Sequence, residues 1–191
     1  EIGIPGTMNL WLSDTAVGKT TAGSVAGTYW FLMLIGRLTG AALGSKISSK
    51  AMLTFASGVG MLLVLLGMFL PTVTQVALPV IQRSAAGALS FGLADVPINA
   101  MLFVFVGFCT SIMWGGIFNL AVEGLGKYTA AASGLFMVMV CGGGLIPMVQ
   151  GWAADVAGYL PSYWVMIACL AYLLFYALIG SKNVNKDIAV A

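Results

Sequence analysis

The chain has 191 residues, of which 60% are hydrophobic and only 7% are charged, and its mean hydropathy is +1.02. A soluble domain carries roughly 25% charged residues, so too few charges are present here to solvate a globular surface. The net charge of +2 and the scattered Lys and Arg residues do not indicate a nucleic-acid-binding surface. The composition therefore predicts a membrane protein whose surface contacts the lipid bilayer.

The residue types needed for most catalytic and metal sites are missing or dispersed. The sequence contains no histidine, which is the commonest general base and metal ligand. Cys109, Cys141 and Cys169 lie far apart within apolar runs, and their spacing fits no zinc motif. The Gly126-Lys127 pair lacks the other residues of a phosphate-binding P-loop. We therefore expect no enzymatic activity, no metal site, no bound cofactor and no nucleic-acid partner.

The hydropathy pattern predicts one partial and five complete membrane-spanning helices. The apolar run over residues 1–12 is too short to cross a bilayer, which takes about 20 residues, and the polar pair Ser13-Asp14 follows it. We expect this run to be the second part of a helix whose first part is missing, so that the chain is a fragment of a longer protein. The complete spans are predicted at about residues 22–43, 51–70, 98–122, 131–149 and 162–179.

These apolar runs are continuous, whereas membrane-spanning β-strands would alternate apolar and polar residues. The predicted fold class is therefore an all-α membrane protein. The long connection from Pro71 to Pro97 is external in this topology. It could be a loop, a segment that dips into the interface or a short helix, and we assign it no function.

The distribution of Lys and Arg predicts the orientation, because cytoplasmic loops of inner-membrane proteins carry the excess of basic residues. If the spans alternate, five lysines lie on the side of the C-terminus and two basic residues lie on the opposite side. We therefore predict a multi-pass inner-membrane protein with a cytoplasmic C-terminus. The first group is Lys46, Lys50, Lys127, Lys182 and Lys186, and the second is Lys19 and Arg83.

A glycine-rich stretch lies within the fourth complete span. Gly142, Gly143 and Gly144 are followed by Pro147, and this combination weakens the helical hydrogen bonds. Irregular backbone at membrane depth is tolerated where it is buried in protein or lines a cavity. We therefore predict a gate or a binding region here, and we include Gln150, which follows on the same helix, in the gating group.

Polar residues within spans are costly and are therefore functional candidates. Glu1 would lie at membrane depth, where it could bind a hydroxyl group of a cargo, carry a proton or pair with a cation; a structural ion pair is the alternative. Asn9 lies on a similar helix face, and Asn119 lies in the third complete span, where an interhelical hydrogen bond is the alternative. Arg37 is predicted to pair with backbone carbonyls or an acidic residue near an inner gate, or to reach the interface.

Aromatic residues inside the spans are candidates for stacking on the apolar face of a sugar ring. Tyr29, Trp30 and Trp114 lie away from the span ends, where aromatic belts occur. Trp114 is followed by two glycines, which leave room beside its ring. Four further aromatic residues near a predicted boundary are assigned to such a belt, namely Trp152, Tyr159, Tyr163 and Trp164.

Several stretches resemble the C-terminal half of fucose permease-like members of the major facilitator superfamily, and they are spread from one end of the chain to the other, so that the resemblance extends over nearly the whole chain. The most specific is the run over residues 111–121 with residues 124–129, which resembles the tenth helix and the following loop. Weaker similarities are to the seventh helix (residues 1–4), the eighth helix (Gly36-Arg37 and Gly40), the charged loop motif (residues 45–50) and the eleventh helix (residues 142–147 with Gln150-Gly151 and Asp155).

The resemblance implies the C-terminal six-helix bundle of a twelve-helix transporter, with its first helix incomplete and its partner, the N-terminal half, missing. It implies alternating-access symport of a monosaccharide of the fucose, glucose or galactose type with a proton or sodium ion. The alternative is a transporter of the same fold for another solute, such as a drug or metabolite exporter, which would have a more apolar cavity. The candidate substrate-binding residues are Glu1, Asn9, Tyr29, Trp114 and Asn119, and the candidate gating residues are Arg37, Gly142, Gly143, Gly144, Pro147 and Gln150.

Overall fold

A computed structural model describes residues 1–83 and 88–182, which form an α-helical bundle with one β-hairpin. Lys186 and residues 84–87 of the connection from Pro71 to Pro97 lie outside the described residues. The elements in chain order are α1 (Gly3–Ser13), α2 (Lys19–Leu43), α3 (Ser49–Phe69), β1 (Gln75–Arg83), β2 (Leu89–Pro97), α4 (Ile98–Val122), α5 (Thr129–Met139), α6 (Gly142–Ala157), α7 (Tyr159–Ser162) and α8 (Trp164–Phe175).

The eight described α-helices form six helical segments. Helices α5 and α6 follow each other in one segment, Gly126–Ala157, and α7 and α8 follow each other in another, Tyr159–Gly180. These two segments, together with α3 and α4, are the helical segments of the described chain that are long and apolar enough to cross a membrane. With 25 residues, α2 is also long enough, but it is less apolar. The predicted fold class, an all-α membrane protein, is confirmed.

The core of the bundle surrounds α4, which packs against α2 and α3. Glycines allow the backbones to approach closely: a Cβ atom added at Gly36 would overlap Ser111, and one at Gly107 would lie 2.8 Å from the carbonyl oxygen of Tyr29. Phe103 of α4 stacks on Tyr163, with ring centroids 4.1 Å apart. These contacts fix α4 between its neighbours, and α4 in turn carries part of the cavity wall described below.

Tyr163 differs from its predicted place in an aromatic belt. Its side chain is fully buried, and its hydroxyl donates to the carbonyl oxygen of Ile4 at 2.9 Å. Trp152 and Trp164, in contrast, are 68% and 53% exposed, as lipid-facing aromatic residues are. The sequence places all three residues near a span boundary. It does not show that the side chain of Tyr163, which directly precedes α8, points into the bundle.

The connection from Pro71 to Pro97 contains a β-hairpin, which the sequence analysis did not predict. Strands β1 and β2 pair antiparallel, with Gln75 opposite Pro97 and Arg83 opposite Leu89. The hairpin docks on α2, where the amide of Ile81 donates to Oγ1 of Thr28 at 3.1 Å. Side chains alternate between the two faces of a strand, and this period buries Leu78 and Val80 while leaving the intervening residues outward.

The fourth predicted span, residues 131–149, consists of two helices rather than one. Helix α5 ends at Met139 and α6 begins at Gly142, so the helix is interrupted at Val140-Cys141. The amide of Cys141 donates to the carbonyl of Val138, three residues back, at 3.3 Å, instead of four residues back as in an α-helix. The helix is therefore interrupted at the two residues that directly precede Gly142, and not within the glycine run itself.

Candidate functional site

A cavity of about 720 Å³ lies between α1, α4, α8 and the junction of α5 with α6. Glu1 lies at its wall and precedes Ser13 by 12 residues, which along a helix corresponds to about 18 Å. If Ser13 closes the span as the sequence predicts, this distance would place Glu1 beyond the middle of a hydrocarbon core of about 30 Å. The polar and aromatic wall residues are Glu1, Thr110, Trp114, Cys169 and Tyr172, and the other wall residues are aliphatic side chains and glycines, such as Ile4, Met113, Ile146, Met166 and Gly143.

Glu1 forms an ion pair with Arg37 at the edge of the cavity. The Oε1 atom of Glu1 lies 3.8 Å from Nη2 of Arg37, and the two side chains are 31% and 53% exposed. From the sequence, Arg37 was expected to pair with backbone carbonyls or an acidic residue, or to reach the interface; in the structure it pairs with the acidic residue of the cavity wall. The pair joins the start of α1 to α2 and places a carboxylate and a guanidinium together among apolar helices, where a lone charge would be costly.

Tyr29 lies behind the cavity wall rather than in it. Its side chain is fully buried, and its hydroxyl donates to the carbonyl oxygen of Glu1 at 3.1 Å. The same hydroxyl lies 3.1 Å from Oγ1 of Thr110. Glu1 and Thr110 both line the cavity, so Tyr29 positions two wall residues from behind and does not offer its own ring to a ligand.

Trp114 lies in the cavity wall, with 38% of its side chain exposed. Phe136 of α5 packs edge-on against its ring, with centroids 5.2 Å apart. Apart from its chain neighbours and its own helix backbone, none of the described residues lies within 4 Å of a Cβ atom added at the neighbouring Gly115, so space remains beside the indole. The structure thus brings Trp114 and Glu1, which are 113 positions apart in the sequence, to one cavity.

The two predicted asparagines are not brought to the cavity. Asn9 is half-buried on α1 and lies outside the wall. Asn119 is exposed, and its Nδ2 atom donates to Oγ of Ser49 at 3.4 Å. This contact joins the last turns of α4 to the first residue of α3, which is the interhelical hydrogen bond that the sequence analysis gave as the alternative.

The gating residues divide between the cavity and its surroundings. Gly142 and Gly143 line the cavity beside the break between α5 and α6. Gly144 and Pro147 lie further along α6, and Pro147 has no N–H group to donate to the carbonyl of Gly143. The backbone is therefore irregular where it meets the cavity, as is usual for broken helices at membrane depth.

Gln150 is buried between helices and makes no polar contact. Its exposure is 0%, and neither amide atom has a hydrogen-bond partner in the part of the chain that the structure describes. It packs against Gly3 of α1. Within α6, Gln150 is the one residue whose exposure falls in the buried range, so its packing holds that helix against the bundle.

Thr110 and Tyr172 are cavity residues that the sequence analysis did not select. Thr110 precedes Trp114 by four residues, and this spacing places both on one helix face, so it was a usable signal. Tyr172 lies inside the last span, but its position alone does not show that it faces the cavity rather than lipid.

The fold and the site together define a multi-pass α-helical membrane protein with a partly polar cavity between its helices. Large apolar side chains cover its exposed surface, among them Phe55, Leu135 and Met148, which are 71%, 62% and 71% exposed. Soluble monomers rarely expose large contiguous apolar patches. Lipid or further membrane-embedded protein therefore surrounds the helices.

Comparison with known proteins shows the family. The chain is 30% identical over 186 residues to a glucose/galactose transporter of Brucella abortus, a match that covers 96% of this chain and 39% of the relative. It is 33% identical over 160 residues to a putative glucose/galactose transporter of Helicobacter pylori (81% and 33%). It is also 30% identical over 77 residues to the L-fucose-proton symporter of Escherichia coli (40% and 18%).

The chain therefore belongs to the fucose permease-like group of sugar transporters in the major facilitator superfamily. It spans about two fifths of the length of the Brucella relative. No family profile and no solved structure matches it.

Proposed function

We propose that this chain forms the C-terminal helical half of an inner-membrane transporter that carries a monosaccharide by alternating access, together with a proton or a sodium ion. The observation that carries the proposal is the cavity between α1, α4 and α8, which combines an ion pair with an indole ring at membrane depth. The names of the relatives, glucose/galactose transporter and L-fucose-proton symporter, support a sugar of this class. In this role the protein acts as a transporter and not as an enzyme.

The chemistry of the wall suits one sugar ring. A volume of about 720 Å³ falls within the range of about 300–1,000 Å³ that is typical of small-molecule sites. The indole of Trp114 offers a flat apolar surface for one face of the ring. The carboxylate of Glu1 accepts hydrogen bonds, and the hydroxyl of Thr110 both donates and accepts, so the two can bind sugar hydroxyls.

Glu1 is also our candidate for coupling the cation to the cargo. An ionised Glu1 pairs with Arg37, whereas a protonated or cation-bound Glu1 loses most of this attraction. Exchange of the ion pair for a proton or sodium ion would therefore change the contact between α1 and α2 beside the cavity. Symport requires such a link between cation binding and helix position, in line with alternating access in secondary transporters.

A transporter of the same fold for another solute is the second candidate. The aliphatic character of most of the cavity wall favours it, since only five wall residues carry polar or aromatic side chains. The three amide side chains that were selected as candidates from the sequence, Asn9, Asn119 and Gln150, do not line the cavity. A drug or metabolite exporter would use the same helices and the same break between α5 and α6.

Uptake by the full-length protein in lipid vesicles distinguishes the two candidates. The panel consists of fucose, glucose, galactose and mannose, each with and without an inward proton or sodium gradient. We expect saturable uptake of at least one sugar that increases with one of the two gradients. Uptake of no sugar, together with export of an apolar dye from cells, would contradict sugar transport and support the second candidate.

A further inference from the structure

Gln150 is a buried amide for which the described residues provide no hydrogen-bond partner. It is fully enclosed on α6, and both Nε2 and Oε1 lack a partner within residues 1–83 and 88–182. Buried side-chain amides are normally hydrogen bonded, because an unpaired one has lost its bonds to water without replacement. The amide therefore needs a partner that this arrangement of the helices does not supply.

The amide lies next to the cavity wall. Gly143 and Ile146 line the cavity from α6, and Gln150 follows Ile146 by four residues, so it continues the same helix face. On its other side Gln150 packs against Gly3, where an added Cβ atom would overlap Oε1. Met166, another wall residue, approaches the same point to 3.1 Å. Gln150 is thus enclosed by the helices that form the cavity.

The helix that carries Gln150 is only weakly connected to the helix before it. The break at Val140-Cys141 separates α6 from α5, and Pro147 cannot donate to the carbonyl of Gly143. Interruptions of this kind are where helices bend. Because Gln150 is the buried residue of α6, a tilt of α6 about the break would separate the amide from Gly3 and open it to the cavity.

We propose that Gln150 is a specificity-determining residue that hydrogen bonds a hydroxyl group of the cargo when α6 tilts about the Val140-Cys141 break. The inference rests on the proposed function, because it requires a cargo rich in hydroxyl groups. A primary amide donates and accepts at once, and a sugar hydroxyl needs a partner for both. Gly3 provides the space in which the amide is stored when no hydroxyl is bound.

The test uses the full-length transporter and a series of monodeoxy analogues of the sugar that it carries. Wild-type protein is expected to transport one analogue about tenfold less efficiently in kcat/KM than the parent sugar, which is the effect of one lost hydrogen bond. Gln150→Met, which keeps the length of the side chain and removes the amide, should lower kcat/KM for the parent sugar about tenfold and leave that analogue unchanged. Equal loss for every sugar, or no loss for any, would overturn the role of Gln150.

Two further variants control the test. Val149→Met introduces the same side chain at a neighbouring position that is 49% exposed, and it should retain the wild-type discrimination. Gln150→Leu repeats the removal of the amide if Gln150→Met does not fold. Failure of the proposed function is distinguishable, because the wild-type protein would then take up no sugar at all. Sugar uptake with undiminished discrimination in the Gln150 variants would contradict the role of Gln150 alone.

Discussion

Glu1 contacts two polar side chains of α2 and lines the same cavity as α4. Its carboxylate pairs with Arg37, and its carbonyl oxygen accepts from Tyr29. We predict that Glu1→Gln in the full-length protein lowers sugar uptake about tenfold or more, since a hydrogen bond to a charged group contributes roughly 1.5–3 kcal/mol. Membrane insertion should remain intact, because the amide is nearly isosteric. Uptake in vesicles, normalised to the amount of inserted protein, measures the effect.

Glu123→Gln is the matched control for this change. Glu123 follows α4 and is exposed away from the cavity, so its neutralisation should leave uptake near the wild-type rate. Equal uptake by Glu1→Gln and wild-type protein would remove Glu1 from both binding and coupling.

Tyr29 tests whether the cavity wall depends on a residue behind it. Tyr29→Phe keeps the buried ring but removes the hydroxyl that contacts Glu1 and Thr110. We expect an increase in KM for the sugar and a loss of about 1 kcal/mol in stability, the usual value for a hydrogen bond. Tyr128→Phe, at an exposed position, is the control. Thermal unfolding with an unchanged midpoint and an unchanged KM would show that the hydroxyl has no positioning role.

Some residues of the cavity wall could be predicted from the sequence and others could not. A carboxylate and an indole are unusual within apolar spans, so Glu1 and Trp114 could be selected as candidates from their types alone. The sequence does not tell which face of a helix meets the cavity, and for this reason Tyr29 and Asn119 were expected in a wall that they do not reach. For Thr110 the only sequence signal was its four-residue spacing from Trp114, because a threonine hydroxyl in a helix often bonds to its own backbone, here to the carbonyl of Gly107 at 3.2 Å.

At the scale of elements, the interrupted segment of α5 and α6 is where we expect movement. Gly143 lines the cavity, and a Cβ atom added there would lie 3.5 Å from Cδ1 of Ile2, so a small side chain fits and a large one fills the cavity. We predict that Gly143→Leu reduces turnover more than it reduces the yield of folded protein. Purified protein in vesicles gives the turnover, and size-exclusion chromatography in detergent gives the folded fraction.

Gly134→Leu is the control for this prediction, since no described residue beyond its chain neighbours and its own helix backbone lies within 4 Å of a Cβ atom added at Gly134 of α5. It should retain most of the wild-type turnover. Normal turnover by Gly143→Leu would reduce the glycine run to a packing feature without a part in the transport cycle.

The β-hairpin is the element that the hydropathy pattern did not predict. Long continuous apolar runs indicate α3 and α4 clearly, because both must span about 30 Å of hydrocarbon. Strands β1 and β2 contain Pro79 and Gly92, two residue types that are depleted in strands, although the pairing continues across both. The alternation of buried and exposed side chains along β1 depends on α2, because the hairpin docks on that helix through the contact of Ile81 with Thr28.

At the scale of the whole molecule, the exposed surface has an uneven distribution of apolar residues. The segment from Gly126 to Ala157 is the least buried of the four candidate spans, with none of its most apolar window enclosed. The relatives are more than twice as long as this chain. If the chain is the C-terminal half of a transporter, as proposed above, the N-terminal half would cover part of this surface and close the cavity from the other side.

The central claim, that the cavity beside Glu1 and Trp114 is the path of the sugar, can be tested on two native cysteines. Cys169 lines the cavity, whereas Cys141 is exposed outside it. The full-length protein is alkylated with a membrane-permeant maleimide in the presence and absence of the transported sugar, and mass spectrometry of the peptides gives both rates. We predict that the sugar slows alkylation of Cys169 and leaves that of Cys141 unchanged; equal rates at Cys169 with and without the sugar would contradict the account.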